Sequence, residues 1–371
     1  MKKYFRFLLT LSFFACNNKS QDNFECITLS VNLEQPTLQF NDVFDSVELI
    51  SLETSDSSLV VYPYEIIEHE GYYYIYDLHL EKTIVFDKKG KFVRQIGKKG
   101  QGPGEYTHLS SISIDKKNNV IHLVEPIGGF NDYTLDGKFL GRRQYPDAED
   151  YQCIYHLDDC MAMWSFPSSN ESDCLFIVNQ ETMEIVKTYY NMPVLTASRG
   201  FYYYQDKLYF HELIGSNRVY EVTKDSLALS YQWDFGNDNI NVYDLELTFK
   251  DENRQVEYDL FWKYMKDGTV PYIKVGQAQN KDYYYACLRY QYKYDRGVFY
   301  RKRDDACFIL GEESWNMPTN ALVFTDNYMI ILMNHNNYSH LIPFLSEADR
   351  NKIIALKEDD NPCLLKFYFR K

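Results

Sequence analysis

From Pro63 onward the chain alternates short runs of aromatic and β-branched residues with turn-forming pairs. The runs YEIIEHEG, YYYIYD, TIVFDKKG and KFVRQIG have strand character, and the turns between them suit antiparallel neighbours. Glu70-Gly71 makes a tight connection, and Asp87-Lys-Lys-Gly90 is a hairpin in which glycine can take positive φ. The pattern predicts a four-strand meander. It recurs at once as SISIDKKNN, VIHLVEP, DYTLDG and KFLGRRQYP, and in both copies an Asp and a Gly close the third strand just before Lys-Phe opens the fourth.

The turn before each second strand falls at Gly71, Asn119, Asp159, Asp206, Asp282 and Asn327, at intervals of 48, 40, 47, 76 and 45 residues. Four intervals match a four-stranded propeller blade of roughly 40 to 50 residues, and the long one carries about 30 extra. Within that excess, DENRQVEYDLFWKYMKDG places Val256, Leu260, Phe261, Tyr264 and Met265 at helical spacing, predicting an inserted helix over about 250–267. A second helical piece over 346–357 opens with Ser346-x-x-Asp349, a capping signal, and interrupts the sixth repeat. That repeat has three strands of its own: NALVFTDN, YMIILMN and the C-terminal CLLKFYFRK. The segment DSVELISLET, ahead of the first repeat, can supply the fourth. The expected fold is therefore all-β: a six-bladed β-propeller over 41–371, closed by the N-terminal strand pairing with the C-terminal blade, with short helical insertions.

On these repeats a family likeness rests. The stretch GYYYIYDLHLEKTIVFDKKGKFVRQIGKKGQGPGEY resembles the repeat of NHL-type propellers. It is more similar still to the six-bladed propeller lipoproteins of gut-type anaerobic bacteria, a family usually left without an assigned function. The likeness is specific across the first two blades and reduces to strand pattern beyond them. It implies the fold and an exported lipoprotein, and no reaction.

The N-terminus agrees. MKKYFRFLLTLSFFAC has a basic start, an apolar stretch from Phe7 to Phe14 and then Ala15-Cys16. The run is too short to span a bilayer, which takes roughly 20 apolar residues. It resembles a lipoprotein signal peptide, 1–16, ending at a lipidated Cys16, with 17–40 as a tether. The expected location is the cell envelope, lipid-anchored on the periplasmic or outer-membrane side, with membrane attachment by lipid only. Seven cysteines remain after Cys16, an odd number, with no CxxC and no Cys/His cluster at zinc-ligand spacing. Buried free thiols are favoured, although Cys153 and Cys160 could face each other across one hairpin.

Composition narrows the function class. With 39 Lys+Arg against 53 Asp+Glu, the net charge is −14, which argues against a nucleic-acid partner. Aromatic residues make up 17% of the chain, and most of their rings must be core because blades pack face to face. The Gly97–Tyr106 stretch lacks the Gly-Lys-Ser/Thr of a phosphate loop and the helix of a dinucleotide fingerprint, so it reads as a crossing between blades with Glu105 accepting backbone N–H bonds.

No GxSxG or HExxH occurs, and the eight histidines are dispersed. Phase singles out one set of polar positions. The ends of the six second strands fall on Asp77, Glu125, Ser165, Glu212, Arg289 and Asn334, which share one rim with the blade-to-blade crossings. Such a rim can hold a small polar ligand or a hard cation such as Ca²⁺, though no cofactor is required by the sequence; alternatively these residues end strands and hold turns. The reading favoured is a binding or interaction module for a small-molecule, glycan or protein ligand. The alternative is a channel-cation-dependent enzyme of lactonase, lyase or glycan-cleaving type, with Glu125, Glu212 and Asn334 as ligands.

Overall fold

The computed structural model describes residues 26–35, 40–147, 149–165, 173–191, 200–212, 216–239, 245, 247, 254–290, 293–311, 320–333 and 341–371. The leader, Cys16 and Asn334 lie outside the described residues.

Six meanders form six blades in a propeller arrangement. Blade 1 runs through Pro63–His69, Tyr72–Asp77, Lys82–Asp87 and Phe92–Ile96, and blade 2 through Ser111–Asp115, Val120–Val124, Gly129–Thr134 and Phe139–Gln144. Blade 3 has Tyr151–Leu157, Cys160–Ser165, Asp173–Asn179 and Ile185–Asn191; blade 4 has Phe201–Tyr204, Lys207–His211, Arg218–Val222 and Leu227–Asp234. Blade 5 is Tyr272–Gln279, Tyr283–Tyr290, Tyr294–Arg301 and Cys307–Leu310. Blade 6 has Ala321–Phe324, Tyr328–Met333 and Cys363–Phe369, and its outermost strand is Phe44–Ser51 from the N-terminal side, antiparallel from Phe44↔Phe369 to Ser51↔Cys363.

Period-two alternation decides which blade each side chain meets. In YYYIYD, Tyr74 and Tyr76 pack with Ile112, Ile114, Ile121 and Leu123 of blade 2, whereas Tyr73 and Ile75 pack with Ile330 and Leu364 of blade 6. Both faces are buried, so Tyr73, Tyr74 and Tyr76 are inter-blade core, each ring contributing roughly 1.5–3 kcal/mol by burial. Turn chemistry follows the sequence as well: Glu70 and Gly71 both have positive φ, at 49° and 80°. Gly90 is obligatory. Its φ is 78°, and a Cβ there would come within 2.1 Å of the Ser51 carbonyl oxygen, where the N-terminal segment crosses.

Two α-helices are present among the described residues. The first, α1 (Arg254–Asp267), buries Phe261 and Met265 against Leu247 and Val270, with Leu260 and Tyr264 half-buried. Val256, expected on the same apolar face, is 69% exposed. The second, α2 (Glu347–Ala355), is capped by Ser346, whose hydroxyl accepts from the Asp349 N–H at 3.1 Å. Neither is long and apolar enough to cross a membrane.

One departure concerns the segment read as tether. Ile27–Ser30 is a fifth strand on blade 4, parallel to Leu227–Asp234 in the register Ile27↔Tyr231 to Ser30↔Asp234. Leu33 then accepts from Arg296 Nη1 at 2.9 Å and Gln35 Nε2 donates to the Cys307 carbonyl at 3.2 Å, both on blade 5. Residues 26–35 thus strap the outside of blades 4 and 5, and Phe44–Ser51 lies on the outside of blade 6. Short polar-flanked runs such as ITLS carry too few residues for periodicity to mark them. No disulfide joins the seven described cysteines to one another, and Cys153, Cys160 and Cys174 lie together in the core between blades 3 and 4.

Candidate functional site

The five described rim positions stand at the ends of their second strands, as their phase requires, but their side chains turn back into the scaffold. Asp77 is fully buried; its Oδ2 accepts from the Val61 and Tyr62 N–H groups at 2.6 and 2.7 Å, and its Oδ1 from Leu80 N–H at 2.7 Å. Glu125 Oε2 accepts from both the N–H and the hydroxyl of Thr107 at 2.9 Å, while its Oε1 pairs with Arg142. The Ser165 hydroxyl lies 3.4 Å from Glu149 Oε2. In each case a partner, Val61 and Tyr62, Thr107 or Glu149, precedes the inner strand of the same blade. The side chain latches the incoming crossing onto the blade it enters.

Arg289 makes a two-point pair with Asp295 at 2.7 and 3.1 Å. Glu212 accepts from Ser216 N–H at 2.9 Å. Its carboxyl is raised by burial, against the opposing pull of Lys274. Lys274, itself fully buried, is lowered to about 8 by desolvation and donates to Asn217 Oδ1 at 3.1 Å. Burial holds the neighbouring His211 imidazole at about 3. Among the described residues no group of three or more His, Cys, Asp or Glu side chains is placed to hold a metal ion.

The glycine-rich crossing is likewise built around a carboxylate. Lys98–Lys99 pairs in parallel with Glu105–Tyr106, Glu105 Oε2 accepts from Gly102 N–H at 2.8 Å, and Lys98 bridges to Oε1 at 2.8 Å. A Cβ at Gly100 would sit 2.0 Å from Glu105 Oε2. The glycines are there to let the loop close on Glu105.

Open volume lies elsewhere. A cavity of about 620 Å³ runs along the axis, walled by the inner strands of all six blades. Tyr155, Phe201 and Tyr203 line it on blades 3 and 4, and Glu65 and Glu68 on blade 1 opposite. Tyr155 stacks on Phe201 with centroids 4.7 Å apart at 28°. The Glu65 carboxylate accepts from the Ser111 hydroxyl at 2.8 Å and from Ile112 N–H at 3.2 Å, while Glu68 accepts from the Tyr328 hydroxyl at 2.8 Å and pairs with Lys366 at 3.5 Å.

Inner strands of blades 1, 3, 5 and 6 each slip register near their starts, between Pro63/Glu65, Tyr151/Cys153, Lys274/Gly276 and Ala321/Val323. Such a bulge re-aims the side chains beyond it. On blade 5 it brings Lys274, Gln277 and Gln279 to the same side, all facing blade 4: Gln277 Oε1 accepts from Trp233 Nε1 at 2.8 Å, and Gln279 Nε2 donates to the Tyr202 hydroxyl at 3.3 Å. Sequence reasoning missed these three. In YIKVGQAQ, Lys274 falls out of phase with the two glutamines, and only the bulge restores it. The signal available was three long polar side chains in one inner strand.

A family model described as a domain of unknown function, DUF4934, matches residues 24–368. No curated protein matches the sequence. Among solved structures, a protein of Bacteroides fragilis NCTC 9343 classed as exported is 18% identical with a TM-score of 0.74, over 93% of this chain and 99% of its own. The RRP9 WD40 repeats are 9% identical with a TM-score of 0.48, over 88% of this chain and 98% of that one. At such identity the first likeness speaks for the fold alone.

Proposed function

We propose a function for a chain that belongs to the DUF4934 family of domains of unknown function: it is an exported propeller lipoprotein whose central channel is a ligand-binding site. The carrying observation is the division of labour between rim and axis. Rim carboxylates are occupied by crossings and ion pairs, whereas the axis keeps a cavity of about 620 Å³, within the roughly 300–1,000 Å³ typical of small-ligand sites. A ring closed by the Phe44–Ser51 and Cys363–Phe369 pairing holds that wall rigid. The leader-like N-terminus supports anchoring through Cys16 in the cell envelope, and the exported Bacteroides relative is in keeping with it.

Gly276 provides the test. It lines the channel, its backbone is not left-handed, and a Cβ there would meet Asn320 Oδ1 at 2.7 Å. Gly276→Leu should obstruct the channel while leaving the rim alone. Thermal-shift screening of wild type against small polar metabolites should find stabilisers that the variant no longer recognises. Ligands that stabilise both proteins equally would remove the channel from the argument. For the anchor, Cys16→Ser should leave the protein out of the membrane fraction; unchanged attachment would refute lipidation at that residue.

A further inference from the structure

Outer strands run from the hairpin end of the ring, where Glu70-Gly71 and Asp87–Gly90 turn, to the end where the blade-to-blade crossings lie. Near the starts of these strands, on three neighbouring blades, six large apolar side chains stand exposed: Phe139 and Leu140 on blade 2, Ile185 and Val186 on blade 3, and Leu229 with Ile27 of the added strand on blade 4. Leu140 and Val186, each half exposed at 50% and 54%, are skipped in the pairing of their strands with Gly129–Thr134 and Asp173–Asn179. Each therefore sits on a bulge, which turns its side chain off the regular ladder. The same positions on the other blades are covered: Phe92 and Val93 of blade 1 and Cys307 and Phe308 of blade 5 are half-buried, and Phe44 of blade 6 is buried. The apolar strip is confined to blades 2, 3 and 4.

Where the described chain begins indicates what covers that strip. Ile27–Ser30 runs parallel to Leu227–Asp234, so the chain reaches blade 4 from the hairpin end, beside the strip. Ten peptide units separate Cys16 from Cys26. Fully extended they span about 35 Å, so a bilayer that holds a lipid on Cys16 lies no farther than that from this corner of the ring. Charge does not select the contact, because Lys138 and Lys187 border the strip and Asp136 and Glu184 border it equally. Apolar burial is what the strip offers, and the headgroup–acyl boundary of the bilayer accepts it.

We propose that the hairpin-end edge of blades 2, 3 and 4 rests on the lipid bilayer, with Leu140, Val186, Leu229 and Ile27 entering the headgroup boundary, so that the crossing end of the ring faces away from the membrane. The inference rests on anchoring through Cys16 and adds which surface meets the lipid.

Fluorescence quenching by brominated lipid decides it, on the lipidated full chain in vesicles of dioleoylphosphatidylcholine or of its dibrominated analogue. An NBD fluorophore is carried on Val186→Cys or, at the crossing end of blade 2, on Ile127→Cys, a position 68% exposed. Both chains also carry Cys26→Ser and Cys307→Ser, which removes the half-buried thiols. Emission from position 186 should fall at least ~2-fold in the brominated vesicles and emission from position 127 should not change, at high salt as at low. Adding Leu140→Glu and Leu229→Glu, two surface changes of small cost to the fold, should bring position 186 to the behaviour of position 127. Equal quenching at the two positions, stronger quenching at 127, or quenching at 186 that the two glutamates leave intact overturns the proposal. An unquenched chain that dimerises in detergent, and becomes monomeric with Leu140→Glu and Leu229→Glu, assigns the strip to a second copy and overturns it as well. If mass spectrometry finds no lipid on the N-terminal peptide, the anchor falls and the orientation with it; an unquenched label on a lipidated chain leaves the anchor standing and removes the orientation alone.

Discussion

The hydroxyl of Tyr203 makes both hydrogen bonds to the backbone of His156, accepting from its N–H at 2.6 Å and donating to its carbonyl at 3.1 Å. One side chain of blade 4 thereby completes the inner strand of blade 3, at the junction where the aromatic side of the channel is built. Tyr203→Phe removes both bonds and leaves an N–H and a carbonyl without partners. The expected loss is about 1–2 kcal/mol, or a drop in melting temperature of a few degrees for a chain of this size, read by calorimetry.

Acid should unfold the protein through two histidines. Burial holds His156 and His211 each at about 3. Their folded-state values lie below the unfolded value near 6.5, so the neutral form stabilises the fold fully above pH ~6.5, and that stability drains as pH falls toward 3. Each contributes up to about 1.4 kcal/mol per pH unit in that window. Burial opposes ionisation of Asp115, but hydrogen bonds from Asn118 and Gln180 outweigh it and hold the carboxyl at about 2, so its own loss begins only near pH 4. Urea midpoints should fall steadily from pH 6.5 to 4.5, and His211→Asn should flatten the slope. A midpoint constant over that range would contradict the assignment.

Asp77 supports three backbone N–H groups at once. Asp77→Ala should therefore cost about 2–4 kcal/mol, with Asp77→Asn intermediate because one amide oxygen can keep part of the set. The same logic predicts that Glu125→Gln lowers the melting temperature through Thr107 and Arg142. Added Ca²⁺ should leave the melting curves of wild type and all three variants unmoved; a Ca²⁺-dependent rise seen only in wild type would return the rim to the list of ligand sites.

Removing Cys363–Lys371 takes away the strand that pairs with Phe44–Ser51 on one side and Tyr328–Met333 on the other. Leu364, Leu365 and Phe367 leave two inter-blade cores with it. Light scattering should show the truncated chain as aggregates or multimers, formed through its open strand edges. A stable monomer with the wild-type melting curve would speak against a closed ring.

The architecture was legible because each blade repeats a turn chemistry that only a few residues satisfy, as Glu70-Gly71 and Gly90 illustrate, and because α2 begins with a cap that can be read directly. Rim phase was legible too: Asp77, Glu125, Ser165, Glu212 and Arg289 all end second strands. What position alone does not encode is direction. Asp77 looks in sequence like a residue waiting at a mouth, and in the fold it turns inward to its own crossing. The channel wall was illegible for a different reason, since the bulge at Val275 reverses the facing of every residue after it, and nothing in VGQAQ announces a bulge. The strap over blades 4 to 6 escaped notice because its strand of four residues borrows its regularity from Leu227–Asp234.

That strap also sets a timetable. Ile27 waits for Tyr231 and Phe44 for Phe369, so the earliest strands of the chain find partners about 200 and 325 residues downstream. Pairings of such high contact order form slowly, and here the last cannot form before the final residues are available. Through most of its synthesis the polypeptide therefore holds blade 4 without its fifth strand and blade 6 without the strand that joins Phe44–Ser51 to Tyr328–Met333, so the packing of blade 6 is among the last to be completed.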